Sequence, residues 1–132
     1  MSTFPLQIVT PEGLKLDTQA EALHLRTSEG YVSIRAKHTD YIATLDIGIV
    51  TVTLEGQERK AACGGGFLTV AKGEVRLVAT SFEYAEDIDT ARAKAAQKRA
   101  EDRIAAAKES GEIDLAKVKL ARALNRLKVA EL

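Results

Sequence analysis

Apolar and polar residues alternate with a period of two through most of the first 85 positions. Phe4, Leu6 and Ile8 occupy every second place in the opening segment, and Pro11, Glu12 and Gly13 then supply turn chemistry. Leu23 and Leu25 alternate again ahead of Ser28, Glu29 and Gly30. The β-branched run from Ile49 to Leu54 predicts a strand bounded by Gly48 and Gly56. Phe67 to Val70 predicts another, between the triplet Gly64, Gly65, Gly66 and the pair Lys72, Gly73. Glu74 to Phe82 alternates with Val75, Leu77 and Ala79 facing inward. Turn signals at intervals of about eight to twelve residues favour an antiparallel sandwich or barrel, in which two sheets bury one face each.

Near Asp87 the period lengthens. Residues 90–109 contain no Gly or Pro and almost no β-branched side chain, which predicts a helix of about five turns capped by Asp87 or Asp89. Ser110 and Gly111 predict its end, and Asp114 a second cap. Ile113, Leu120, Leu124 and Leu127 then form one apolar stripe, faced on the first helix by Ala91, Ala95, Ala96, Ala100 and Ile104. At ~0.8 kcal/mol per buried methylene, an alanine seam contributes far less than a leucine seam. The hairpin is therefore expected to be marginal alone and able to pack in one place or to open and pack in another. The predicted fold class is α+β, with an N-terminal antiparallel β-sandwich over residues 1–86 and a C-terminal antiparallel α-helical hairpin over residues 87–132.

Composition sharpens this division. A chain of 132 residues accommodates a domain of about 85 residues with an extension, but not two full-sized cores. No apolar run approaches ~18 residues, and residues 1–20 lack the basic, apolar, small-residue order of a signal peptide, so a cytoplasmic protein is expected. The lone Cys63 is expected to be a small buried apolar residue. The net charge of zero conceals a split, with 8 basic and 12 acidic residues through position 88 and 11 basic and 7 acidic beyond it. All six aromatic residues precede position 85.

Catalytic chemistry finds little support. There is no phosphate loop of the Walker A type, and His24 in a strand and His38 in a loop lack a nucleophile turn or clustered carboxylates. The glycine triplet does not open a helix, so tight packing at a strand start explains it better than dinucleotide binding. The basic half interleaves acids and has no aromatic on which bases stack, which disfavours nucleic acid. Arginine placement is more informative. Arg92, Arg99 and Arg103 share one helical face, and Arg122 and Arg126 lie four apart on the other helix. In a hairpin turning near Gly111, Arg92, Arg99, Arg122 and Arg126 gather near one level, where a polyphosphate would relieve their repulsion. The competing reading pairs these arginines with Glu86, Asp87, Glu101 and Asp102 on solvated faces, with Asp89 only a helix cap.

Four segments in order carry a family resemblance: Ile8 to Gly13, Gly65 to Val70, Glu86 to Arg103, and Ala123 to Ala130. The chain resembles the epsilon subunits of bacterial F-type ATP synthases over essentially its whole length. The resemblance implies a non-catalytic central-stalk subunit, peripheral on the inner face of the cell membrane. It also implies that the sandwich grips the gamma subunit and rests on the membrane-embedded rotor ring. The turn Glu29, Gly30, Tyr31, with His38 nearby, matches the loop facing that ring; otherwise Tyr31 is an ordinary exposed turn aromatic. The hairpin is implied to extend toward the alpha/beta catalytic head and obstruct ATP hydrolysis, or to fold down onto the sandwich. Ile88, Asp89, Arg92 and Ala93 fit the family's Ile-Asp-x-x-Arg-Ala pattern, with Glu83 at the matching upstream position, and this pattern implies regulatory ATP binding. Arg92, Arg99, Arg122 and Arg126 would then meet the phosphates, and Glu83 and Asp89 the base or ribose. One departure stands out: Ser33, Ile34, Arg35, Ala36, Lys37, His38 replaces the family's Gly, two apolar residues, Pro-Gly-His, so the loop there is expected to follow another path. A scaffold of another complex that binds no nucleotide is the alternative from a different class.

Overall fold

The computed structural model describes residues 2–132. Its strands are β1 (Phe4–Thr10), β2 (Gly13–Ala20), β3 (Ala22–Thr27), β4 (Gly30–Arg35), β5 (Tyr41–Leu54), β6 (Gln57–Ala71), β7 (Glu74–Ala79) and β8 (Phe82–Tyr84). A 3-10 turn at Ala85–Asp87 leads into α1 (Thr90–Ala106) and α2 (Ser110–Ala130). The strand order is β2-β1-β7-β6-β5-β3-β4, with β8 also paired to β6. All neighbours are antiparallel except β1 and β7.

Two long strands make the sandwich. The first part of β5 and the last part of β6 join β7, β1 and β2, while their other ends join β3, β4 and β8. The change of layer falls where Leu45 pairs with Gly66 and Ile47 with Gly64. Gly65 and Gly66 hold φ of 96° and 148°, a backbone region nearly closed to other residues. A Cβ on Gly66 would collide with the Val78 carbonyl and stand 2.9 Å from Ala79 Cα. Contrary to the expectation from the sequence, Gly48 and the triplet do not bound strands at Ile49 and Phe67 but lie inside β5 and β6. Glycine marks a bend in a continuing strand as readily as its end. Both layers contribute to one core, including Phe4, Leu6 and Ile8 of β1, Leu23 and Leu25 of β3, Ile34 of β4 and Leu68 and Leu77 of β6 and β7. Cys63 is buried in it, and burial pushes its thiol pKa up.

The helices also require corrections. Asp89, not Asp87, caps α1, its Oδ1 accepting the Arg92 amide at 3.0 Å. Gly111 lies in the first turn of α2, and Asp114 is inside that helix and caps nothing. The reversal occupies Ala107, Lys108 and Glu109, with Ala107 and Glu109 extended, a conformation that needs no glycine. The buried seam consists of Ala93, Ala100, Ala116 and Ala123, flanked by half-buried Ala96, Ile104, Ile113, Leu120 and Leu127. Ala91, Ala95 and Leu124 face solvent instead. The inner positions of α2 advance by alternate threes and fours from Ile113 through Ala116, Leu120 and Ala123 to Leu127, and Leu124 is one step off this line. Small residues on both sides bring the axes close while burying little area.

Polar side chains of α2 hold the hairpin down against the sandwich. Asn125 Nδ2 donates to the Gly48 carbonyl at 2.8 Å, and Arg122 Nε to the Gly64 carbonyl at 3.3 Å. Glycines leave these carbonyls within reach of α2. Val129 is fully buried nearby, at the C-terminal end of the same helix.

Candidate functional site

A cleft of about 610 Å³ opens where β8 hands over to α1. Parallel pairing of β1 with β7 brings the ends of both strands to its floor, so Thr10 lies near Thr80 and Ser81. The helices supply Asp89, Arg92, Ala93, Ala96, Arg99 and Arg126, and the junction supplies Glu83 and Asp87. Six of the eight residues expected at a nucleotide site thus meet in one cavity: Glu83, Asp89, Arg92, Ala93, Arg99 and Arg126. Ile88 is half-buried and does not line it. Arg122 is not brought there: it lies in an adjoining groove with Arg26, Asp46 and the glycine triplet, and only Thr80 borders both spaces. The rotation of α2 that directs Arg126 into the cleft directs Arg122 toward the corner of β6.

Only one of these arginines is neutralised by an acid. Arg126 Nε donates to Glu83 Oε1 at 2.7 Å, and the same guanidinium donates to Ser81 Oγ at 3.3 Å. Arg92 and Arg99 form no ion pair among the described residues, and Glu101 and Asp102 do not reach them. Glu86 turns away and pairs with Arg59 of β6, whose guanidinium covers the Tyr84 ring at 3.7 Å. That contact ties the 3-10 turn to the sheet. The hydrogen bond to Glu86 raises the Arg59 pKa, and the Glu86 carboxyl is lowered by its own backbone N–H and then by Arg59. Burial raises the Tyr84 phenol.

Lys15, Glu12, Thr10, Thr80, Ser81 and Asp87 also line the cleft and escape sequence reasoning about the ligand. The first three lie at least 65 positions from Thr80 to Asp87, and no periodicity signals their approach; it follows only from the strand order. The lining therefore combines four cations, Lys15, Arg92, Arg99 and Arg126, with four carboxylates, Glu12, Glu83, Asp87 and Asp89. Such a mixture suits a ligand with an anionic end and a donor-rich end, within the usual size range of small-molecule sites of about 300–1,000 Å³. Among the described residues no group of His, Cys, Asp or Glu could hold a metal, and no helix is long and apolar enough to cross a membrane.

Two outer surfaces complete the picture. The Glu29–Gly30–Tyr31 turn is organised by Thr27, whose hydroxyl donates to the Gly30 carbonyl at 2.9 Å and accepts the Glu29 amide at 3.1 Å. Tyr31 is 68% exposed and stacks on His24. His38 follows the other end of β4 and packs edge-on to Tyr41, with no hydrogen bond to the turn. Lys37 beside it adopts φ of 64°, so the chain turns here without the expected glycine. Across the outer face of the other layer, register aligns Leu14 with Val9, Val9 with Val78, and Val78 with Phe67. On β5 Phe67 faces Thr44, and Ile42, 75% exposed and two residues along the same face, extends this apolar patch diagonally. It crosses five strands, roughly 19 Å at the usual strand spacing.

Comparison with known proteins agrees with this architecture. Residues 3–85 match the family model of the ATP synthase delta/epsilon chain beta-sandwich domain, and residues 86–131 that of the long alpha-helix domain. A protein named ATP synthase epsilon chain from Bacillus velezensis is 42% identical over 130 residues, covering 98% of each chain. One of the same name from Ruminococcus albus is 36% identical over 131 residues, again with 98% of each covered. A chain in a structure of the Euglena gracilis mitochondrial ATP synthase, comprising OSCP, F1 and c-ring, superposes with a TM-score of 0.81 at 23% identity, covering all of this chain and 83% of that one.

Proposed function

The chain belongs to the ATP synthase delta/epsilon chain family, and from that premise we propose that it is a central-stalk subunit whose helical hairpin senses ATP. The observation that carries this reading is the cleft in which the folded-down hairpin draws Glu83, Asp89, Arg92, Ala93, Arg99 and Arg126 together. A ligand bound there favours the folded state by its difference in affinity between the two arrangements. ATP supplies phosphates for Arg92 and Arg99 and hydroxyl or amino donors for Glu83 and Asp89; Arg122 reaches it only by releasing the Gly64 carbonyl. When ATP is scarce, the hairpin opens and extends toward the alpha/beta head, where it restrains hydrolysis. The protein performs no hydrolysis itself. It works at the inner face of the cell membrane, attached through its partners.

Residues 1–86 form the stalk-binding and ring-binding part, and residues 87–132 the regulatory part. The apolar row Leu14, Val9, Val78, Phe67 and Ile42 is the surface for gamma, and the turn Glu29, Gly30, Tyr31 is the surface for the rotor ring; His38, beyond the other end of β4, stands apart from that turn. A large exposed apolar patch on a small domain marks a protein contact. Replacing Phe67 or Ile42 by Glu tests the first assignment. Affinity for purified gamma should fall by about tenfold or more, because a charge is buried without a partner. Circular dichroism and Tm of the isolated variant should stay unchanged. Unaltered gamma binding in both variants would refute the assignment.

A further inference from the structure

We propose that Lys15 of the sandwich is a ligand-contacting residue of the cleft, and that Glu12 restrains it; this deepens the nucleotide-sensing reading and rests on it. The position of Lys15 is set by an irregularity in the sheet. Ile8 pairs with Leu16 and Val9 with Leu14, leaving Lys15 as an extra, unpaired residue in β2. Such a bulge bends its strand and re-aims a side chain. Lys15 thereby lines the cleft together with Arg92, Arg99 and Arg126, although it comes from the opposite body of the fold. Its ammonium is 3.1 Å from Glu12 Oε2, and the Glu12 amide is fixed in turn by the Thr10 hydroxyl at 3.2 Å. The arginines all travel with the hairpin, whereas Lys15 stays with the sheet. An anionic ligand held by Lys15 on one side and by Arg92 and Arg99 on the other is a physical tie between the two parts. That tie exists only when the hairpin is down, which gives the ligand its preference for this state. Contacts confined to a single helix would survive the opening and would shift nothing.

The test is ATP titration of the full chain by calorimetry, comparing wild type, Lys15→Gln and Glu12→Gln, with Arg92→Ala as the marker of the cleft. Lys15→Gln should weaken ATP roughly five- to tenfold, as expected for one charge-assisted contact at a partly exposed position. Glu12→Gln should strengthen it about two- to fivefold, because the ammonium loses its competing carboxylate. Opposite signs for the two halves of one ion pair cannot arise from loss of the pair as a structural contact, which would change both variants alike. Equal affinity in Lys15→Gln and wild type, with Arg92→Ala still defective, overturns the role of Lys15 and leaves the nucleotide-sensing reading intact. No binding by the wild type overturns both.

Discussion

ATP should bind the isolated Arg92→Ala variant at least about tenfold more weakly than wild type, the loss expected when a charge-assisted hydrogen bond to phosphate is removed. Arg92 is the cleanest probe of the cleft because its guanidinium engages no acid among the described residues. Removing it breaks no existing pair, so Tm should move little, and a defect in binding is a defect in the ligand site. Arg126→Ala differs in kind. It deletes the contacts to Glu83 and Ser81 as well, leaving Glu83 without its partner. It should therefore lower ATP affinity and also loosen the hairpin, visible as faster amide exchange in α1 and α2. Unchanged affinity in both variants would reduce the arginine cluster to surface charge.

Gly66→Ala should produce the largest loss of stability in the chain. The methyl group would run into the Val78 carbonyl and close on Ala79 Cα, both of them backbone, so no side-chain rotation relieves the contact. The φ of 148° adds strain of its own for an L residue. Together these effects are expected to cost roughly 3–4 kcal/mol, a substantial fraction of a small domain's stability. The fall in Tm should be on the order of 10 °C or more. Gly111→Ala is the control: its Cβ would enter open space in α2, and Ala suits a helix better than Gly. That variant should melt at or slightly above wild type. Equal melting of the Gly66→Ala variant and wild type would mean that the corner can relax, against the packing described.

These two experiments touch what was and was not legible in the sequence. Alternation revealed the inward residues of β1, β3 and β7, because period two is a direct consequence of one buried face. It could not reveal that β5 and β6 continue through their glycines, since Gly48 and Gly64 to Gly66 read equally as strand ends and as bends. The distinction depends on Val78 and Ala79 of β7, and Thr80 and Ser81 just after it, crowding the corner. In the hairpin, composition identified helices, but Leu124 looked more apolar than Ala123 and only packing shows which of them faces α1. The cleft divides similarly. Residues on one helical face, such as Arg92 and Arg99, could be grouped in advance from spacing, and Glu83 and Asp89 through the family pattern. Lys15 depended on a bulge and on the pairing of β1 with β7, and the separation of Arg122 from Arg126 on the rotation of α2 against the glycine corner.

Ligand in this cleft is proposed to decide whether the hairpin is down. This control is tested most directly by fluorescence energy transfer in the assembled enzyme, with dyes on Glu55→Cys in the sandwich and Lys108→Cys at the hairpin tip, in a Cys63→Ala background. At millimolar ATP the transfer should match that of the isolated folded chain. As ATP is depleted, transfer should change as the tip leaves the sandwich and hydrolytic capacity should fall with it, while an Arg92→Ala chain should need at least about tenfold more ATP to close. Transfer that is the same with and without ATP, in wild type and Arg92→Ala alike, would refute ligand control of the hairpin.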